Sequence, residues 1–119
     1  MRTVQELLTD IKNPQAVAAI HNLSITGNTN ILASDLVPSK DSVLFRVMVV
    51  FDTAGVFKAV ITQGGNSQIV AFREGSTLVA GAVYIFDLLA EQGDLINFQY
   101  SVDATLQVLR VQELVGGVQ

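Results

Sequence analysis

From Leu23 onward, short runs rich in Val, Ile, Leu, Phe and Tyr are separated by Gly, Asn, Asp and Ser at intervals of roughly ten residues. That is the spacing of an all-β sandwich or barrel. Strands are expected near residues 23–26, 30–37, 42–52, 56–62, 68–73, 82–89, 95–102 and 105–114. The connections carry their own chemistry. Thr53-Ala54-Gly55, Gln63-Gly64-Gly65-Asn66, Glu74-Gly75-Ser76 and Glu91-Gln92-Gly93-Asp94 supply residues that accept positive φ or bond their own backbone, as tight turns require.

The clearest strand is 95–102, where Ile96, Phe98, Tyr100 and Val102 fall on one side and Asn97, Gln99 and Ser101 on the other. This is the alternation of a sheet with one dry and one wet face. Residues 42–52 differ. Val43, Phe45, Val47, Val49 and Phe51 line one side, while Leu44, Met48 and Val50 make the opposite side apolar as well. Such a strand needs cover on both sides, which an N-terminal helix, another sheet or an adjacent subunit could supply. In the last strand the apolar phase changes between Leu106/Val108 and Leu109/Val111, which predicts a bulge or twist.

The N-terminus follows another rule. Thr3 and Glu6 have capping-box spacing, and Val4, Leu7, Leu8 and Ile11 recur at i, i+3, i+4 and i+7. This predicts a short amphipathic helix. Asn13-Pro14 ends it and opens a second helical turn through Ile20. A helix of about two and a half turns is not stable alone in water, so its stripe must dock on its own subunit or a neighbour. The chain therefore divides into a helical arm (1–21), a β-sandwich domain (22–115) and a loose tail (116–119).

A length of 119 residues suits one domain. Half the residues are hydrophobic, only 15% are charged, and the mean hydropathy is +0.44. A domain this small cannot hide that much apolar side chain by itself, so contact between subunits is expected. Continuous apolar stretches such as 47–51, which no other run exceeds, fall far short of the roughly 20 residues of a membrane helix. The start, Met1-Arg2-Thr3-Val4-Gln5-Glu6, lacks the basic head and apolar run of a secretion signal, so none is expected. With no cysteine, disulfides, thiolate catalysis and zinc–sulfur sites are excluded. A net charge of −4 with seven dispersed Lys and Arg argues against nucleic acid as a partner.

Candidate chemistry is sparse. His21 has no second histidine with which to share a metal, and Ser24 nearby has no orienting carboxylate to make it a nucleophile. Glu91, Asp94, Asp52 and Asp103 lack the dense spacing of a calcium loop and read as turn residues. Gly64-Gly65 lies between β-runs without a following helix, which makes it a hairpin turn and not a phosphate cradle. Asn22-Leu23-Ser24 fits a glycosylation triplet without a secretion signal to support it. Tyr84, Phe86, Phe98 and Tyr100 could form a platform for sugar, but their alternation with other side chains reads better as core. No catalytic residue, cofactor or metal site is expected, and the chain reads as a non-enzyme.

Residues 78–87 (LVAGAVYIFD), 92–101 (QGDLINFQYS) and 106–111 (LQVLRV) resemble the closing strands of small β-sandwich virion proteins of tailed bacteriophages. In that group a strand of the form aGxxYxFdi precedes one of the form GDxinFqyS and a final strand ending LrVxEv. The resemblance covers roughly the last 40 residues. It implies an antiparallel, jelly-roll-like sandwich with no catalytic residues, found in the virion as a capsid decoration protein or in tails and fibres. It also implies synthesis in the host cytoplasm, a homo-oligomer with a trimer as the expected form, and the major capsid or tail protein as partner. The expected interface residues are Val4, Leu7, Leu8 and Ile11 on the arm, which would reach the capsid or tail lattice, together with Leu44, Met48 and Val50 on the β-domain. Two competing readings are a carbohydrate- or receptor-binding module, tested first at Tyr84 and Tyr100, and a cupin-like enzyme, which one His and no Cys disfavour.

Overall fold

The computed structural model describes residues 15–114. Its elements in chain order are β1 (Gln15–Ile25), β2 (Ser42–Phe51), β3 (Phe57–Gln63), β4 (Asn66–Ala71), β5 (Tyr84–Glu91), β6 (Leu95–Tyr100) and β7 (Ala104–Leu114). A turn at Phe72–Gly75 follows β4. The strands form two antiparallel sheets, one ordered β1-β7-β2-β5 and the other β4-β3-β6. The protein is all-β, as the turn rhythm predicts.

The pairings are nested. β1 pairs with β7, β2 with β5 and β3 with β4. Between β1 and β2 the chain runs beside β6: the N–H groups of Asn28, Ile31 and Leu36 donate to the carbonyls of Tyr100, Phe98 and Ile96, and Ile96 N–H donates back to Leu36. Only Leu36 and Ile96 form a ladder bridge there, so the expected strand at 30–37 is a hydrogen-bonded edge segment. The chain is thus one long hairpin folded over itself. β2–β7 and β3–β6 contacts join its successive layers.

The core lies between the sheets, built by the alternation described above. Val43, Phe45, Val47, Val49 and Phe51 of β2 are no more than 2% exposed, and Ile96, Phe98 and Tyr100 of β6 are fully buried. Phe51 and Tyr100 stack across the two sheets with centroids 3.7 Å apart, and the Tyr100 hydroxyl donates to the Thr53 carbonyl at 2.6 Å. Burial raises the Tyr100 phenol to about 12. The phase change in the last strand is a bulge: Val50 and Phe51 pair with Val108 and Leu106, leaving Gln107 as the extra residue.

Two expectations need correction. The second helical turn through Ile20 is absent, because Gln15–Ile25 is a strand paired with β7. Ala-rich local propensity favours helix weakly, and ladder pairing that turns Ala18 and Ile20 toward the core outweighs it. The expected arm–domain boundary at 21/22 therefore falls inside β1. The wet side of β6 is also not wholly wet. Asn97 is only 3% exposed, with its amide exchanging two hydrogen bonds of 3.0 Å with the Leu32 backbone and donating to Asp35. The side chain acts as a short strand partner that fastens the edge segment. The expected first helix and the expected loose tail 116–119 lie outside the described residues.

Candidate functional site

β2 occupies an inner position of the four-stranded sheet, so its second apolar side points away from the core. The register shows what surrounds it. Leu44 lies between Leu114 and Leu89, Arg46 between Gln112 and Asp87, Met48 between Arg110 and Ile85, and Val50 beside Val108. β1 continues the rows at one edge with Ala16, Ala19 and His21 opposite Gln112, Arg110 and Val108. Leu44, Met48 and Val50, the expected interface residues of the β-domain, therefore share one outer face.

That face is apolar and open. Leu44, Met48, Val50 and Val108 are half-buried by their neighbours, while Ile85 and Leu89 on the edge strand are 60% and 65% exposed. Val83, just before β5, is 62% exposed. One polar row crosses it. Arg46 makes a two-pronged contact with Asp87, Nε to Oδ1 at 2.9 Å and Nη2 to Oδ2 at 3.1 Å, which raises the guanidinium pKa further. Both side chains are more than 40% exposed, so the pair fixes orientation more than it adds stability.

Arg46, Met48, Ile85, Arg110 and Gln112 line a shallow groove of about 170 Å³. Ligand pockets usually span about 300–1,000 Å³. This groove is too small for a substrate of ordinary size and large enough for one side chain of a partner. Sequence reasoning missed Ile85, Leu89 and the two arginines. In residues 83–86, aliphatic and aromatic side chains alternate, and both kinds suit a core; only the register shows that Tyr84 and Phe86 face inward while Ile85 faces out.

The other candidates have structural duties. Phe98 and Tyr100 are fully buried, and Tyr84 and Phe86 pack against the core, so the four aromatics make no open platform. Tyr84 accepts from the Val79 N–H and lies 5.2 Å beneath the Arg73 guanidinium. Asp52 accepts from the Thr105 N–H and the Thr53 hydroxyl, and these bonds hold its carboxyl below the usual value. Asp94 accepts from Gln63 and from the Glu91 N–H, and Asp103 from the Gly27 N–H. Each carboxylate thus fastens a turn. His21 stands exposed on β1 opposite Val108. Gly64 and Gly65 both have positive φ in the two-residue turn between β3 and β4.

Among the described residues, no group of three or more His, Cys, Asp or Glu is placed to hold a metal. Nor is any helix among them long and apolar enough to cross a membrane. Val4, Leu7, Leu8 and Ile11 lie outside the described residues. No protein-family model matches the chain, and no curated protein is found similar to it.

Proposed function

We propose that this protein is a non-enzymatic structural subunit that assembles with copies of itself by burying the outer face of the four-stranded sheet. In the setting implied by its resemblance to phage β-sandwich proteins, the assembly attaches to a capsid as a decoration protein or to a tail. The carrying observation is the outer face itself, where the apolar rows around Leu44, Met48 and Val50 run out to Ile85 and Leu89 at the edge. Apolar rows this exposed on a small domain mark an interaction site.

The jelly-roll-like reading draws support from the nested pairing. With the 28–36 segment counted beside β6, the chain has four concentric antiparallel pairs, distributed as two four-membered layers. A long hairpin wrapped into two such layers is the pattern of a jelly roll.

The test is the solution mass by light scattering of the full chain and of the Ile85→Lys, Leu89→Lys double variant. Both positions are exposed, so the variant keeps its sandwich, as circular dichroism would show. The expected result is a multi-chain mass for the parent and 12.8 kDa for the variant. A parent that stays at 12.8 kDa at high concentration overturns self-association.

A further inference from the structure

The three-stranded sheet ends at β4, and its outermost backbone groups are left unpaired. The two-residue Gly64-Gly65 turn, with both φ positive, makes Gln63 and Asn66 a hydrogen-bonded pair, and the ladder alternates from there. Ile61/Gln68 and Ala59/Val70 are bonded pairs, whereas Thr62/Ser67, Val60/Ile69 and Lys58/Ala71 are not. The far side of the sheet checks this phase. Ile96, Phe98 and Tyr100 of β6 bond to the 28–36 segment, so Leu95, Asn97 and Gln99 are the residues that bond to β3, at Thr62, Val60 and Lys58. Ser67 and Ile69 therefore point both N–H and C=O away from β3, and among the described residues no loop bonds to the backbone of either. Ala71 shares that side but caps the turn at Phe72–Gly75.

β4 is exposed on both faces, and its six residues include no charge and no proline. Natural proteins blunt open edges with charges, prolines or covering loops, so a bare edge points to pairing as its working state. We infer that β4 pairs antiparallel with β4 of a second copy, about a two-fold axis at Gln68, and joins two three-stranded sheets into one of six strands. Ser67 of each copy then faces Ile69 of the other, and the two pairs exchange four main-chain hydrogen bonds that satisfy every group left open at these residues. Gln68 faces Gln68, where the two amides match donor to acceptor, and no like charges meet. An axis at Ile69 keeps the same phase but draws on Ala71, which the following turn already uses.

What the edge offers chooses the partner. With both faces of β4 open, no pocket flanks it to select the side chains of a foreign strand, so main-chain pairing is all it recognises. The other edges among the described residues fit it less well. β1 is interrupted by the register shift at Ala16/Ala18 and by Asn22 at positive φ, β5 carries Asp87 and Glu91, and the free side of β6 is taken by the 28–36 segment. A second β4 is regular, uncharged and matched in phase. The contact is separate from the outer face of the four-stranded sheet. One edge pair is small beside a standard interface, so it holds weakly between free chains and adds to whatever assembly the face has built.

The absence of cysteine in the chain allows the register to be trapped, because oxidation accumulates even a weak pair. At Gln68 the facing Cα atoms stand about 4.5 Å apart, within disulfide range. Oxidised full-length Gln68→Cys is expected to form a disulfide-linked pair of chains. A mixture of Asn66→Cys with differently tagged Val70→Cys, which the register sets opposite each other, should join one chain of each kind. Asn66→Cys alone, whose copies lie about 13 Å apart along the strands, should give none. Equal yields from all three, or none from Gln68→Cys, overturn the inference. In the unsubstituted chain, the Ser67 and Ile69 amides should gain hydrogen-exchange protection as concentration rises, while Gln68 and Val70, bonded to β3, are protected throughout; Ser67 and Ile69 amides that exchange at the same rate at every concentration overturn it too. The Gln68→Cys disulfide is expected to persist in the Ile85→Lys, Leu89→Lys background, and its loss there would overturn β4 as a contact of its own. A single-chain mass for the parent would count against the outer face and leave the trapped edge pair standing.

Discussion

Replacing Asn97 by alanine removes the side-chain fastening of the edge segment, leaving its backbone bonds to β6 and the hydrophobic core in place. In the native protein the Asn97 carboxamide oxygen accepts from Leu32 N–H, and its nitrogen donates to the Leu32 carbonyl, each at 3.0 Å and buried. Alanine leaves both Leu32 backbone groups without partners in a place where Leu32 itself is only 7% exposed. Each orphaned group costs about 1–3 kcal/mol. A water that satisfied part of the pair would hold the expected loss to about 2–4 kcal/mol. At about 1–3 kcal/mol per molar urea, this lowers the unfolding midpoint by roughly 1–3 M. Hydrogen exchange locates the effect: the Leu32 amide loses protection before Val47, which is fully buried in the centre of β2. Asn97→Asp separates donor from acceptor. It keeps an oxygen for Leu32 N–H but loses the donor to Leu32 and sets a second carboxylate where the amide now lies 2.7 Å from Asp35. Its deficit should therefore shrink in acid, as one of the two carboxyls is protonated. An alanine variant with an unchanged midpoint and a protected Leu32 amide would refute the reasoning.

Gly55 is held by a different constraint. A Cβ there would stand 2.8 Å from the Tyr100 ring, which is stacked on Phe51 and tied through its hydroxyl to Thr53, so Gly55→Ala should cost about 1–3 kcal/mol in a urea titration. Tyr100 also sets an alkaline limit. Its folded pKa is raised from 10.0 to about 12, so its contribution is full below pH 10 and is lost as pH rises toward 12. Tyrosinate absorbance should show this phenol ionising only with unfolding; free titration near pH 10 in the folded protein would contradict its burial. Asp52 works in the opposite sense. Its folded pKa lies below 3.8, so its contribution is present above that value and is lost as pH falls through the folded one. Asp52→Asn should flatten the acid end of the stability profile, and an unchanged acid slope would count against the Thr105 bond as its cause.

What could be read in the sequence was whatever depends on alternation within one strand. The inward side of β2 and of β6, a change of phase in β7 and the two-glycine hairpin all follow from local pattern, because sheet geometry forces neighbours to opposite faces; the register places the phase change as a bulge at Gln107. What could not be read depends on which strands are neighbours. The first half of β1, through Ile20, looked helical because Asn13-Pro14 suits a helix start, and only its ladder to β7 makes it a strand. Asn97 looked solvated because alternation predicts direction and says nothing of a loop that covers it. The same distinction governs the candidate site. Leu44, Met48 and Val50 were visible as an apolar side needing cover, since one strand suffices to show them. Ile85, Leu89 and Arg110 join them only through the register of β2 with β5 and β7.

That difference bears on how a chain with an apolar second face stays specific. Exposed edge strands invite pairing with any other edge, and β4 offers one: Asn66–Ala71 is exposed throughout, with no proline or charged residue among Asn-Ser-Gln-Ile-Val-Ala. The outer face of the four-stranded sheet is guarded differently. The Arg46–Asp87 row crosses it, so a partner that covers the apolar rows must also present polar groups at one fixed height. An indifferent apolar surface would bury that pair without compensation, a loss that discriminates against it. β4 carries no such row, and lysine at Ile69, which is 55% exposed, should suppress edge-to-edge aggregation while leaving the assembled mass intact. If Ile69→Lys instead dissolves the assembly, the copies join through β4 and not through the guarded face. Light scattering on that variant and on the Ile85→Lys, Leu89→Lys pair, at matched concentration, separates the two interfaces.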